Sequence, residues 1–183
     1  EYRGRGVAYC ATCDGEFYTD KEVFVVGGGF AAAEESVFLT KFARHVTILM
    51  ITDDFTCAAA AAEPARKHEN TSILSMTELV EVAGENGLTY ARWRNQQTGE
   101  ETEHHSENGE TFGVFVFAGY EPATDLVKNI VELNEQGYIL TDNSLKTNVD
   151  GVYAAGDVCI KPLRQVVTAT GDGALAATEL EKY

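Results

Sequence analysis

Apolar and polar positions change their rhythm several times along the chain. Residues 22–27 (EVFVVG) form an unbroken apolar run that ends in glycines, the pattern of a strand buried on both faces of a parallel sheet. Over 30–42 the spacing turns helical, and Ala31, Ala32, Ala33, Glu34 and Glu35 all favour a helix. Residues 46–51 (VTILMI) predict the next strand. Strand, glycine turn, helix and strand make a βαβ unit, which crosses over right-handed. The alanine-rich stretch 57–66 predicts a helix interrupted by Pro64. Segments 78–82, 89–94 and 101–105 predict a meander, with turns at Glu85-Asn86-Gly87 and around Gly99, and 111–117 predicts an apolar strand closed by Gly119. Beyond that point a helix is expected over 125–133, short strands over 137–140 and 152–155, and an alanine-rich helix over 166–181. No internal repeat, low-complexity tract or flexible linker interrupts the pattern. The change of character places a domain boundary near Phe112, giving parts 1–112 and 113–183.

A chain of 183 residues can bury a sizeable core as one domain or two small ones. Its 44% hydrophobic and 23% charged residues are ordinary for a globular protein. The formal net charge of −15 changes the picture more, because it repels phosphates and so argues against nucleic acid or an anionic membrane as partner. No apolar run reaches the roughly 18 residues of a membrane span. The first residues do not read as a signal peptide, and the sequence starts inside what reads as a domain. Four cysteines are too few for a disulfide scaffold. One close pair and two singles suit a cytoplasmic protein with a single redox or metal site.

That pair is Cys10 and Cys13, in CATCDG. A structural zinc would need a second ligand pair, and only the distant Cys57 and Cys159 remain, with four histidines in no matching pattern. A redox role needs two thiols close enough for a small-loop disulfide and a setting that favours one thiolate. Asp14, directly after the pair, is placed to exchange a proton. The other motif is VVGGGFAAAEE, in which Gly27, Gly29 and Ala32 fall in the spacing GxGxxA between strand and helix. Such a turn lets the backbone approach a pyrophosphate at a helix N-terminus. By itself it fits a ligand-free corner equally well.

Taken with their surroundings, these motifs resemble one family. GRGVAYCATCDGEF (4–17) resembles the redox-active segment of the low-molecular-weight thioredoxin reductases, flavoprotein disulfide reductases. The resemblance implies that Cys10 is the interchange thiol, that Cys13 faces the flavin, and that Asp14 handles the proton. GVYAAGDV (151–158) resembles the family's second flavin motif, with Gly156 at the turn and Asp157 on the ribityl chain. In 164–177, Arg164, Gln165 and Val166 match the family's segment at the isoalloxazine ring, and FAGYEPAT (117–124) resembles the crossing into the flavin domain. The implied fold is α/β, with two Rossmann-like dinucleotide-binding domains in three layers. The first would be of the pyridine-nucleotide type and carry the dithiol; the second, an FAD domain, is only partly present. The family's first flavin segment, which would precede the dithiol domain, is missing from this sequence, so the chain alone is expected to bind FAD poorly. The intact enzyme would be a cytoplasmic homodimer passing electrons through FAD and the Cys10–Cys13 pair to thioredoxin. A peroxiredoxin-reducing flavoprotein and a non-enzymatic flavin-binding regulatory module are the alternatives.

One departure bears on the electron donor. NADPH-dependent members follow the second strand with a His-Arg-Arg…Arg cluster that clamps the 2′-phosphate. Here the stretch is MITDDFTC (50–57), with Ile51, Thr52 and Thr56 at those arginine positions and Asp53 and Asp54 adding negative charge. That disfavours NADPH. Asp53 stands somewhat late for the acid that would select NADH. GRGVAYCATCDGEF, GGGFAAAEE and DDFTC look closer to the ferredoxin-dependent flavin thioredoxin reductases. Ferredoxin is therefore the favoured donor, with Arg3, Arg5 and Lys161 as candidates for the basic patch that an acidic partner requires.

Overall fold

The computed structural model describes residues 2–183. These form two compact units, divided between Gly119 and Tyr120. The first is built on strands β1 (Val7–Ala8), β2 (Glu22–Val26), β3 (His45–Leu49), β4 (Thr71–Leu74) and β8 (Gly113–Val116). They make one parallel sheet in the order β1-β8-β2-β3-β4. Helices α2 (Phe30–Leu39) and α3 (Ala59–Lys67) provide the crossovers. The antiparallel meander β5 (Thr77–Ala83), β6 (Tyr90–Asn95) and β7 (Glu101–His105) joins β4 to β8.

The continuous apolar run of β2 has the cause inferred from sequence, since both faces of the sheet are covered. Val23 and Val25 pack with Ala32, Leu39, Ile48 and Phe115. Phe24, on the opposite face, packs with Leu88, Phe112 and Val114, with Trp93 and Val82 of the meander against it. Helix α3 continues through Pro64. The ring leaves the carbonyl of Ala60 without its helical donor, and Ala60 is exposed, so water can satisfy it.

Strand β8 moves the boundary. Val23–Val26 pair with Gly113–Val116, so these residues complete the first sheet and the division falls after Gly119 rather than at Phe112. The second unit has a small core of Val131, Ile139, Ala154 and Cys159. The strands expected at 137–140 and 152–155 reduce to isolated bridges, Ile139 with Leu133 and Cys159, and Tyr153 with Lys146. The helix expected over 125–133 is a succession of turns. Thr124, the residue placed to cap it, directs its hydroxyl to the carbonyl of Gly137, and only Val131 of this stretch is fully buried while Leu126 is 93% exposed. Without a continuous buried stripe, helical propensity alone does not carry nine residues. The terminal helix α4 (Val166–Glu181) has the expected bounds. Among the described residues no helix is long and apolar enough to cross a membrane.

Candidate functional site

The dithiol stands at the carboxyl end of β1. Cys10 takes an extended backbone (φ −143°, ψ 108°) and caps the short helix α1 (Ala11–Asp14), its sulfur accepting the N–H of Cys13 at 3.2 Å. The return of the chain brings the two sulfurs into a disulfide, Cys10–Cys13. The Thr12 hydroxyl lies 3.4 Å from the Cys10 sulfur. Cys10 is half-buried and Cys13 exposed. Both open on a cavity of about 260 Å³ that Arg3, Val7, Tyr9 and Asp14 also line. A 3₁₀ turn, Gly15–Tyr18, returns the segment to the sheet. There the Tyr18 ring meets Phe115 edge-on at 5.2 Å and occupies the space a side chain at Gly113 would need, since a Cβ there would come within 2.6 Å of the ring. Burial pushes the Tyr18 phenol above its ordinary value, and the negative charge of Asp14 adds to the rise. Cys57 and Cys159 are free thiols, and burial raises that of Cys159.

The glycine turn stands at the carboxyl end of β2. Gly27 has φ +141°, and a Cβ there would lie 2.5 Å from the carbonyl oxygen of Phe117, so the turn closes against the strand beside it only with glycine. Gly29 is the N-cap of α2, with no side-chain cap among the described residues, and Ala32 is fully buried beneath it. The helix therefore presents uncapped first-turn amides, which suit an anion. The loop after β3 folds onto this turn. Both the N–H and the hydroxyl of Thr56 donate to the carbonyl of Gly28, at 2.8 and 3.2 Å.

The structure adds a residue here that sequence reasoning missed. Arg66 of α3 forms an ion pair with Asp54 and lays its guanidinium 5.0 Å from the centroid of Phe55. Arg66, followed by the backbone N–H of Phe55, holds the Asp54 carboxyl below its usual range. The stretch 50–57 has no arginine of its own, but its charge is partly compensated from twelve residues away.

In the second unit, Gly156 (φ +83°) forms the turn before the exposed Asp157. Asp157 and Arg164 line one cavity of about 370 Å³ with Tyr120, Pro122, Tyr138 and Val158. The Arg164 guanidinium lies 4.5 Å from the Tyr138 centroid, and its buried Nε has no hydrogen-bond partner among the described residues. Gln165 begins α4 through a reciprocal cap with Thr168. Val166, next in line, is 83% exposed. An orphaned guanidinium nitrogen, a carboxylate and an aromatic wall at one concavity fit a polar, planar group such as a flavin with its ribityl chain. Tyr138, Lys161 and Asp172 also belong to this neighbourhood and were not singled out for it. Lys161 is ion-paired with Asp172 at 2.7 Å, which removes it from the basic patch expected from sequence. Arg3 and Arg5 keep aromatic contacts, with Tyr9 at 5.7 Å and Tyr2 at 5.9 Å.

Known proteins share this arrangement. A thioredoxin reductase of Peptoclostridium litorale is 51% identical over 100% of this chain and 58% of its own length. The structure of thioredoxin reductase from Streptococcus pyogenes MGAS5005 matches with a TM-score of 0.88 at 36% identity, over 100% of this chain and 58% of that one. A ferredoxin-flavin thioredoxin reductase from Clostridium acetobutylicum matches less closely, with a TM-score of 0.50 at 25% identity over 99% of this chain and 55% of that one. The chain thus spans just over half the length of these relatives. Residues 1–173 match the family described as pyridine nucleotide-disulphide oxidoreductase. With a parallel sheet that carries a Cys-x-x-Cys disulfide and a glycine turn at the carboxyl ends of the two strands flanking β8, the chain belongs to that family.

Proposed function

We propose that this chain is the dithiol-bearing portion of a flavin-dependent thioredoxin reductase. The observation that carries the reading is the Cys10–Cys13 disulfide, open to a cavity and flanked by Asp14. Two electrons and two protons convert it to the dithiol. Cys10, as thiolate, attacks one sulfur of the partner protein's disulfide; a Cys10–partner S–S bond forms and the other partner sulfur leaves as thiolate. Cys13, as thiolate, then attacks the Cys10 sulfur, releasing the second partner sulfur and re-forming the internal disulfide. Asp14 takes the proton that Cys13 loses and delivers it to the departing thiolate. The N–H of Cys13, which already points at the Cys10 sulfur, makes a stronger, charge-assisted bond once that sulfur is a thiolate.

Gly156, Asp157, Arg164, Gln165 and Val166 are the residues that would hold FAD, which when bound supplies the two electrons to the disulfide. Gly27, Gly29 and Ala32 would seat the pyrophosphate of a nucleotide. Thioredoxin as the partner, homodimerisation and a cytoplasmic setting follow from the reductase reading. NADPH is disfavoured as donor because Ile51, Thr52 and Thr56 offer its 2′-phosphate no cation, and Arg66, which approaches this loop from α3, is engaged by Asp54. With Lys161 committed to Asp172, the case for ferredoxin rests on Arg3, which lines the cavity at the disulfide, and on Arg5 close to it in sequence, and NADH stands as the other donor.

Two experiments test this reading. Alkylation mass spectrometry with and without dithiothreitol should show a two-thiol difference mapping to Cys10 and Cys13; a pair that stays alkylatable under oxidising conditions defeats the redox role. Stopped-flow reduction of the intact enzyme with NADPH, NADH and reduced ferredoxin in parallel should bleach the flavin with one of the last two. Rapid bleaching by micromolar NADPH would overturn the donor assignment and leave the dithiol chemistry standing.

A further inference from the structure

Helix α4 has no buried residue along its length, so few ties fix it within its unit. The Tyr153 hydroxyl reaches the carbonyl of Glu179 at 3.4 Å, and the Tyr183 ring approaches Gly151. The tie nearest the flavin-type turn is Asp172. The Oδ2 oxygen accepts the backbone N–H of Gly156 at 3.0 Å, and Lys161 Nζ straddles the carboxylate, 2.8 Å from Oδ1 and 2.7 Å from Oδ2. Both partners of this ion pair are sheltered, with side-chain exposures of 22% for Lys161 and 14% for Asp172. One turn earlier on the helix, Ala169 lies where it would touch a Cβ on Gly156, at 3.4 Å. The left-handed Gly156 thus rests directly on the helix, and Asp157 follows it.

We propose that Asp172 is a positioning residue for flavin, holding the Gly156–Asp157 turn and, through Lys161, the loop that leads to Arg164 and Gln165. This deepens the flavoprotein reading and rests on it. The geometry supplies the reason. Asp157 and Arg164 line the same cavity from the two ends of this loop, and Asp172 anchors it at its start and near its middle. A carboxylate can serve both anchors at once because its two oxygens together offer about four lone-pair sites. Removing it frees the Gly156 peptide to reorient and leaves Lys161 sheltered without its counter-charge.

The test uses the intact enzyme reconstituted with FAD, in the variants Asp172→Ala, Asp172→Asn, Lys161→Met and Asp172→Asn/Lys161→Met. FAD dissociation constants and flavin midpoint potentials are measured, with Cys10–Cys13 alkylation as a control on the other unit. Asp172→Ala should weaken FAD binding at least tenfold, about 1.4 kcal/mol, and shift the potential. Asp172→Asn should recover part of the loss, because its amide oxygen still accepts the Gly156 N–H. The double variant should bind no worse than the poorer of its two single variants, since both break one ion pair. A folded Asp172→Ala enzyme that binds FAD within twofold of the wild type, at an unchanged potential, overturns the positioning role alone. Additive losses in the double variant overturn the coupling through Lys161. A wild-type enzyme that takes up no FAD defeats the flavoprotein reading, and the positioning role with it.

Discussion

On the reading that the glycine turn seats a nucleotide, preference for NADPH should be introduced by changes at Thr56 and Asp54. Thr52 is a poor choice, because its hydroxyl donates to the carbonyl of Asp54 at 2.7 Å and shapes the loop. Thr56 is better. Its side chain is exposed and gives a single 3.2 Å bond to Gly28, while its N–H keeps a 2.8 Å bond to the same carbonyl whatever the side chain. Thr56→Arg should therefore cost the fold no more than about 1 kcal/mol. Asp54→Asn removes the charge that engages Arg66, an exposed pair whose loss the fold tolerates. Together the changes offer a 2′-phosphate two guanidiniums. At about 1.5–3 kcal/mol per arginine–phosphate contact the gain is roughly 3–6 kcal/mol. That is about two to four decades in affinity for NADPH. NADH lacks the phosphate and should change little. Calorimetric titration of this chain with both nucleotides reads the ratio directly. A ratio unchanged within threefold in a variant that still binds NADH would refute the placement of the phosphate site. Wild-type protein that binds NADPH more tightly than NADH would refute the premise.

Four further outcomes are expected. This chain alone should bind FAD at best weakly, since Asp157 and residues 164–166 meet only part of the cofactor; a yellow, flavin-loaded preparation would contradict that. Thr12→Val should slow alkylation of reduced Cys10 at neutral pH severalfold, and Thr12→Ser should restore it; equal rates in all three would remove Thr12 from the thiolate's environment. Gly27→Ala should destabilise the first unit by roughly 2–4 kcal/mol, combining a left-handed cost with a clash on the Phe117 carbonyl, and a melting temperature within a degree of wild type would exclude the clash. Lys161, then the Gly156 N–H, lower the Asp172 carboxyl, so its contribution is fully present above the ordinary aspartate range and is lost as pH falls through the depressed value; amide exchange at Gly156 should quicken there, and the same profile in Asp172→Asn would assign the effect to another group.

The first unit was legible because its signals are local. The apolar run of β2, the glycine turn, α2 and the meander are each marked by a local pattern, and all appear close to where expected, except that α2 ends at Leu39 rather than at 42. β4 was not read, because Thr71 and Ser72 hide its short apolar pair, Ile73 and Leu74; nor was the two-residue β1, too short to show a period. The boundary was misplaced because β8 joins its sheet through residues far away in sequence, which a local pattern does not register. The 125–133 segment failed for a related reason. Its helical spacing was real, but no neighbouring element covers Leu126 or Ile130. At the sites, the dithiol and the Gly156–Asp157 turn could be read as motifs, whereas Arg66 and Asp172 could not. Each acts through a partner on another element, Asp54 and Lys161, and nothing in an alanine-rich helix marks which polar residue will be recruited.

The dithiol and the glycine turn are more closely tied than their distance in sequence suggests. Both β1 and β2 pair in parallel with β8, and Ala8 and Val25 both stand opposite Phe115. Cys10 and Gly27 each follow those residues by two positions, so both motifs emerge from the same edge of the sheet, two strand spacings or roughly 9–10 Å apart. That edge is also where the sheet changes direction, with β3 and β4 laid down on one side of β2 and β8 and β1 on the other. In open α/β sheets such a switch point is where ligands bind. Strand β8 supports both sites, and it does so with small contacts: Gly113 admits the Tyr18 ring that ends the dithiol segment, and the carbonyl of Phe117 closes on Gly27. A side chain at Gly113 would displace Tyr18 first, yet Gly113 also pairs with Val23 at the start of β2, so the disturbance reaches the strand that carries the glycine turn. The geometry of the two sites is therefore one property of a single strand rather than two independent ones.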